Sequence, residues 1–557
     1  MNQGNRSIDL DEVGSLVKTL FVFLILFVFL YFFKLGGYGL IDVDEPRYAE
    51  AAREMIESQN WTVPYFNYVV RYDKPILFYW LEAIAMLVFG INEFSARLPS
   101  VLMSFFCLYF VYLFIRKFSS LTIALLGVLV LMTSFEFAAL SRFSIPDMTL
   151  AAFITASIIC FYLGYCELLE SGRFYKNQIV TFSFWYILGF IFTALAFLTK
   201  GPVVLVLEFL IFFPFFWWIR KLDYFFKNKS FWIGFIGFLI LTLPWYISVH
   251  NATGGEFTKV FFGLHNFARF TTVVSGHKGV IYFYIPVVLL GFMPWTFFLP
   301  QSIYCVVKKG LTSLLKGSQE QVAWFCLWWF LVVFLFFSFS RTQLLTYILS
   351  SFPALAIVVT LWFERLLLKK SGTGGLVIGF GAFFAFSLLM FYICLFHLDW
   401  ILPREVKGLN IDIYIMFFAF LIVVGVSMAW ASSNKDFMLT VSILLATFFI
   451  LYVGLVGNVL PKIDKHAQYT LRKFSKSIPI DVEIATYKTI KPSTTFYAKR
   501  RVSEIPKYKK LEKKIAQSSQ FAFVAKKNDL KNKPLSNVYK WGEDYRYVFY
   551  TNYPVGK

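Results

Sequence analysis

Three carboxylates fall within four residues in the stretch GLIDVDEPRYAEAAREMIESQNW (39–61): Asp42, Asp44 and Glu45. Pro46 follows at once, then a charged run with helical spacing. Further along come Arg71, Asp73 and Lys74 in YVVRYDKPILFYW, Arg142 and Asp147 in SRFSIPD, and Lys200 in LTKGP. His250, His265 and Arg269 lie within 244–279, and Arg341 and Tyr347 within SRTQLLTYIL. Cations of this kind hold phosphate, and a neighbouring carboxylate can act as a base or orient a nucleophile. The set therefore suits an anionic lipid headgroup or a lipid-linked carrier. Part of the opening cluster has a plainer reading. Pro46 suits the first turn of a helix with Glu45 as its cap, and acids are favoured at that end of the helix dipole. Arg53 with Glu57, and Glu50 with Glu54, read as the solvated face of that helix. One cap needs one acid, so Asp44 is left over.

The elements that must hold these residues are apolar. Of 557 residues, 58% are hydrophobic, 70 are Phe and only 15% are charged, which excludes an ordinary soluble protein. Windows long enough to cross a bilayer recur at about 19–36, 97–116, 121–140, 147–167, 181–198, 201–219, 231–248, 281–304, 322–338, 344–364, 375–397, 412–430 and 437–458. The chain thus reads as a polytopic helical membrane protein with about thirteen spans. The 19–36 run reads as a retained helix, because no small-residue cleavage site follows it. Segment 75–90 is too short to cross and reads as interfacial or re-entrant. On that reading the short basic loops around Arg116, Arg220, Lys308, Lys369 and Lys435 share the cytoplasmic side with the N-terminus, 1–18. The opposite face then carries the 37–96 loop, every candidate residue above and the tail.

From 461 to 557 the chain changes character, with 22 Lys or Arg against 8 Asp or Glu. A basic tail of this kind reads as a small periplasmic α/β domain on anionic lipid rather than as a nucleic-acid partner. DVEIATYKTI, TTFYAKRRVSEI and QFAFVAKK read as strands, and KYKKLEKKIAQ as a helix. The six cysteines lie in or beside apolar runs without a C-x-x-C and read as packing residues. Transporters concentrate charge at the bilayer midplane. Here Glu208 and Glu136 are the intramembrane acids, so an enzyme is favoured over a lipid-linked-sugar transporter or flippase.

DVDEPRYAEAAREM, RYDKPILFYWLEAIAMLVFG, FSARLPSVL, LTKGP, PWY followed by FFGLHNFARF, and LTYILSSFPALA occur in this order. Together they resemble the bacterial branch of the protein mannosyltransferase-like GT-C glycosyltransferases, glycosyltransferase family 83, and within it the lipid A aminoarabinose transferases. The resemblance covers about 10–365 well and continues more weakly into IKPSTTFYAKRRV. It implies a GT-C transmembrane domain over 19–460, juxtamembrane helices in the first outer loop and a periplasmic α/β domain over 461–557. It implies inverting transfer of a sugar from a polyprenyl-phosphate carrier to an acceptor at the periplasmic face, lipid A first and a protein or other glycan second. Asp44 and Glu45 match the catalytic acidic pair, and Asp147 matches a second acidic position. Lys74 matches the lysine on the carrier phosphate. Arg47, Tyr48, Lys200, Arg269 and Tyr347 match positions near that phosphate or the sugar. Asp73 and His265 match a pair that could hold a divalent metal, although no cofactor is required by the chemistry. The aminoarabinose enzymes read K-L-P-T-Y-I-L-P where this chain has Gln343-Leu-Leu-Thr-Tyr-Ile-Leu-Ser, so the resemblance does not carry the sugar or the acceptor.

Overall fold

The structure, a computed structural model, describes residues 25–171, 182–268, 279–310, 318–368, 374–396 and 437–554 except 490, 532 and 534, together with 174–175, 178–179 and 425–426. Arg269 and the expected span at 412–430, apart from 425–426, lie outside these residues, as does residue 557.

The first described helix covers 25–32. Helix α1 (Asp44–Ser58) follows, then the hairpin of β1 (Tyr65–Phe66) and β2 (Val69–Val70). Asn67 and Tyr68 turn the hairpin, both with positive φ (56° and 62°). Asn at the first of these positions suits such a turn. Next come α2 (Leu77–Phe89) and α3 (Glu93–Phe118). At thirteen residues α2 spans roughly 20 Å, short of a bilayer core. Gly90 ends it, and Asn92 with Ser95 forms a capping box that starts α3.

Helix α4 (Pro146–Ser171) packs against α3 and α5 (Phe184–Lys200), and its apolar window is wholly buried. Small residues let α4 and α5 approach closely. A Cβ at Gly164 would lie 2.6 Å from the Tyr186 ring, and one at Gly189 would lie 3.0 Å from the Phe161 ring. Among the described residues six helices are long and apolar enough to cross a membrane. Five further apolar helices have 10–17 residues. The expected single span at 281–304 is broken: Tyr284–Gly291 and Trp295–Val307 meet at 106°. Pro294 sits in the break, where it can neither donate a backbone hydrogen bond nor continue the first helix.

After Leu460–Ala467 and Tyr469–Ser477 the chain builds a five-stranded sheet. Its strands are β3 (Glu483–Tyr487), β4 (Val502–Ile505), β5 (Phe521–Lys526), β6 (Tyr539–Glu543) and β7 (Tyr547–Thr551), ordered β4-β3-β5-β7-β6. β3 runs parallel to β4 and β5, while β7 runs antiparallel to β5 and β6. Each face of the sheet buries its own apolar cluster. Strands were expected at DVEIATYKTI and QFAFVAKK, and β3 and β5 lie there. TTFYAKRRVSEI divides: its first part belongs to helix α6 (Pro492–Ala498) and only VSEI is a strand. Pro492 opens that helix and Lys499 closes it with positive φ (53°), overriding the β propensity of two Thr and two aromatics.

Candidate active site

Helix α1 does not begin as expected. Its first residue is Asp44, and Val43 stands in the cap position without a side-chain cap. Glu45 is not the cap. It lies buried inside the turn, where Oε2 accepts from the Ile41 amide at 2.7 Å and Oε1 from the Ser144 amide at 2.8 Å. Arg97, from the first turns of α3, grips the same carboxylate with Nε at 2.9 Å and Nη2 at 2.8 Å. Its remaining N–H groups donate to the carbonyls of Leu35, Tyr38 and Gly39. All five donors of this guanidinium are thus used, and its plane lies 4.0 Å from the centre of the Tyr38 ring. Glu45 and Arg97 fix the loop that delivers Asp44. Asp44 itself is exposed, and among the described residues its carboxylate has no hydrogen-bond partner.

Of the expected wet face of α1, Glu57 is exposed and the other three charges are buried. Glu50, Arg53 and Glu54 are each less than 5% exposed. Arg53 holds Glu50 through Nε and Nη2 and reaches Glu57 at 2.7 Å. Glu54 accepts from the Tyr68 amide at 2.9 Å, which ties the hairpin to the helix. Glu50, Arg53 and Glu54 thus form a buried local network with Glu57 at its solvated edge. The cause is tertiary: α2 and α6 pack against α1.

Beyond the hairpin the chain carries Arg71, Asp73 and Lys74. Arg71 is buried, donates from Nη1 to the Arg47 carbonyl at 2.9 Å and lies 4.5 Å from the Tyr48 ring centre. Tyr48 is a buried platform under this guanidinium. Burial pushes its phenol well up, against the pull of Arg71, so it stands there as a neutral ring. Arg71 also lies in the field of Asp44. Arg47 itself is half-buried.

Asp73 meets His265 Nε2 at 3.1 Å and Arg71 Nε at 3.3 Å. The two expected metal ligands do come together. However, a guanidinium crowds their carboxylate, and among the described residues no group of three His, Cys, Asp or Glu could hold a metal. A protein site commonly supplies at least three ligands, so the donor set does not fit one.

Lys74 is buried and lies in the field of Asp147. Asp147, in the first turn of α4, accepts from Lys200 at the end of α5, Nζ to Oδ1 2.6 Å. Lys200 Nζ stands 4.6 Å from the centre of the Tyr347 ring. Gly201 follows with φ 84°, and a Cβ there would lie 2.6 Å from Phe261. The Asp147 group and the Arg71 group are joined through a three-residue backbone step that spans at most about 11 Å.

Two residues of the site, Arg97 and Glu82, lie outside the candidates named from sequence. Arg97 was passed over although it stands in FSARLPSVL. An arginine in the first turns of an apolar helix is expensive unless paired, and that cost was the available signal. Glu82 is also part of the surroundings: it is fully buried and accepts from the Ser144 hydroxyl. Arg142 is buried. It donates to the carbonyls of Leu30, Tyr31 and Phe33 at the end of the first described helix. Arg341 is exposed. Gln343 is buried, with its amide nitrogen donating to the carbonyls of Phe337 and Ser338. Glu208 accepts from Thr193, which also bonds Ser157.

Residues 16–253 match the family described as dolichyl-phosphate-mannose-protein mannosyltransferase. An undecaprenyl phosphate-alpha-4-amino-4-deoxy-L-arabinose arabinosyl transferase of Shewanella sediminis is 33% identical over 60% of this chain and 57% of its own. One from Proteus mirabilis is 28% identical over 68% and 66%. An uncharacterised protein of Aquifex aeolicus is 31% identical over 70% of this chain and 82% of its own. The aligned stretches thus span less than two thirds of the two named transferases. The crystal structure of ArnT from Cupriavidus metallidurans bound to undecaprenyl phosphate superimposes with a TM-score of 0.77, at 19% identity, over 97% of this chain and 98% of that one. The shared fold therefore extends through the C-terminal sheet.

Proposed function

We propose that the chain, whose residues 16–253 match the dolichyl-phosphate-mannose-protein mannosyltransferase family, is a membrane glycosyltransferase that moves a sugar from a polyprenyl-phosphate carrier to an acceptor at the periplasmic face of the inner membrane, lipid A first. The observation that carries this reading is the contrast between two adjacent acids. Glu45 is fully engaged by Arg97 and two amides, whereas Asp44 is exposed and lies in the field of Arg71. Asp44 is the catalytic carboxylate and Glu45 holds it in place.

The reaction is a single displacement with inversion at the anomeric carbon. The acceptor oxygen forms the new bond as the bond to the carrier phosphate breaks, and the phosphate leaves with the electron pair. Lys74 and Arg269 neutralise the charge developing on that phosphate, the electrostatic contribution that generally dominates such steps. Lys200, held by Asp147 and backed by Tyr347, supports them. Asp44 takes the proton of a hydroxyl acceptor. Toward a lipid phosphate, which is already ionised, it orients the nucleophile instead. Arg47 and Tyr48 support the same pocket, Tyr48 through Arg71. No step uses a metal, given the poor fit of Asp73 and His265. Gln343 stands where the aminoarabinose transferases have lysine, and its amide nitrogen is held by two backbone carbonyls, so the sugar is best read from the product. A protein or other glycan acceptor is the second reading.

The test is mass spectrometry of lipid A and of periplasmic glycoproteins from cells with and without the chain. Lipid A that loses a sugar in the deletion strain supports the reading, and a change confined to proteins moves it to the second acceptor. Asp44→Asn and Lys74→Ala are each expected to abolish transfer while leaving folded protein in the membrane. Normal transfer by Asp44→Asn removes the assignment of that residue.

A further inference from the structure

The C-terminal sheet unit touches the catalytic loop at two places, one on each side of α1. Ahead of α1, Asp42 is buried with its carboxylate spent entirely on that unit. Oδ1 accepts from the Ser493 amide at 3.0 Å, and Oδ2 from the Ser493 hydroxyl and from Lys491 Nζ at 3.2 Å. Asp42 and Tyr547 hold the Lys491 charge in place against the cost of burial. Two residues earlier the Leu40 amide donates to Tyr497 Oη at 2.9 Å, and that hydroxyl donates to Glu93 at 3.1 Å. The approach is close: a Cβ at Gly39 would lie 2.5 Å from Arg472. Behind α1, Asn67 at the hairpin turn pairs with both backbone groups of Val502. Its amide nitrogen donates to the Val502 carbonyl at 2.8 Å, and its oxygen accepts from the Val502 amide at 2.8 Å. Val502 begins the edge strand β4, so Asn67 covers an edge that would otherwise be unpaired there.

We infer that the C-terminal unit is a positioning clamp for the transfer reaction: Asp42, held by Lys491 and Ser493, sets Asp44, while Asn67, held by Val502, sets the Arg71–Lys74 segment. This rests on the function proposed above. The chemistry behind it is distance. Asp44 follows Asp42 by two residues, and Lys74 follows the hairpin by four. The rod between the two grips, α1, is itself locked by Arg53 and Glu54. A misplacement of about 1 Å can cost a reaction on the order of a hundredfold. A unit with its own core fixes both reacting groups against one frame. Asp42, Asn67, Lys491 and Ser493 are positioning residues, and none of them touches substrate.

The two grips predict different kinetic signatures, which mere stabilisation does not. The test uses the full chain in lipid nanodiscs for undecaprenyl phosphate binding, and lipid A mass in cells for transfer. Asp42→Asn is expected to lower transfer at least tenfold while the undecaprenyl phosphate Kd stays within twofold. Asn67→Ala is expected to raise that Kd at least threefold. Asp42→Asn with Lys491→Gln is expected to be no worse than the worse single variant. Ser493→Ala, which removes one hydroxyl and keeps the amide, is the milder probe if Asp42→Asn fails to fold. Transfer within twofold of the unaltered protein in both Asp42→Asn and Ser493→Ala overturns the clamp. So do equal shifts in transfer and Kd that track a fall in melting temperature. Asp44→Asn run alongside separates the two ideas. If it is inert while Asp42→Asn is normal, only the clamp fails. If it is active, the catalytic assignment fails.

Discussion

Glu45 and Arg97 are neighbours only in three dimensions, 52 positions apart in the chain. Both are essentially inaccessible to solvent. Removing one member of such a pair leaves an uncompensated buried charge, a cost of about 3–5 kcal/mol. Arg97→Ala is therefore expected to lower the melting temperature in detergent sharply and to deplete folded protein from membranes. Replacing both partners by apolar residues of similar size is expected to be milder. Asp44→Asn should do the opposite, losing transfer with an unchanged melt. The residue-scale lesson lies in that contrast. The sequence singles out Asp44 by subtraction, on the premise that Glu45 caps the helix. The helix start instead leaves the cap position bare and turns Glu45 inward to Arg97, a pairing with no local signature. The buried face of α1 was hidden for a related reason. Arg53 with Glu50 and Glu57 looks the same in sequence whether it faces water or a protein neighbour, and the helices that cover it, α2 and α6, come from later in the chain.

At the scale of elements, long apolar runs were legible because a bilayer demands them, and breaks within them were less so. The 281–304 run has enough apolar residues for one span, but it folds as two helices meeting at 106°. The short α2 was marked by its length. The turn after Lys200 carries the clearest element-scale prediction. Gly201 has φ 84° and ψ −148°, a region nearly restricted to glycine, and its neighbour Phe261 leaves no room for a Cβ. Gly201→Ala is expected to cost about 1–3 kcal/mol from the backbone alone. It should also move Lys200 off Asp147, so both the melt and transfer should fall. Gly237→Ala makes a fair comparison, because a Cβ there meets nothing within 4 Å. It is expected to leave both measurements unchanged.

For the whole molecule, the proposed orientation places the basic short loops inside and the C-terminal sheet outside. An alkaline phosphatase fused after Lys557 needs an oxidising compartment to form its disulfides. It is expected to be active there and inactive when inserted at Lys308–Lys309, and the reverse pattern would invert the topology. The basic character of the tail was plain in the sequence, as was its change from membrane to sheet. Its grip on the first loop was not, because hydrogen bonds such as that from the Ser493 amide to Asp42 join residues 451 positions apart. That separation has a consequence in time. At roughly 5–20 residues per second, the ribosome releases Ser493 on the order of 20–90 s after Asp42. Through that interval the nascent first loop stands outside the membrane without its partner. If the proposed clamp holds, a chain cut short before Lys491 and Ser493 would insert its helices and still lack a fixed first loop, so the proposed transfer would wait for the finished molecule.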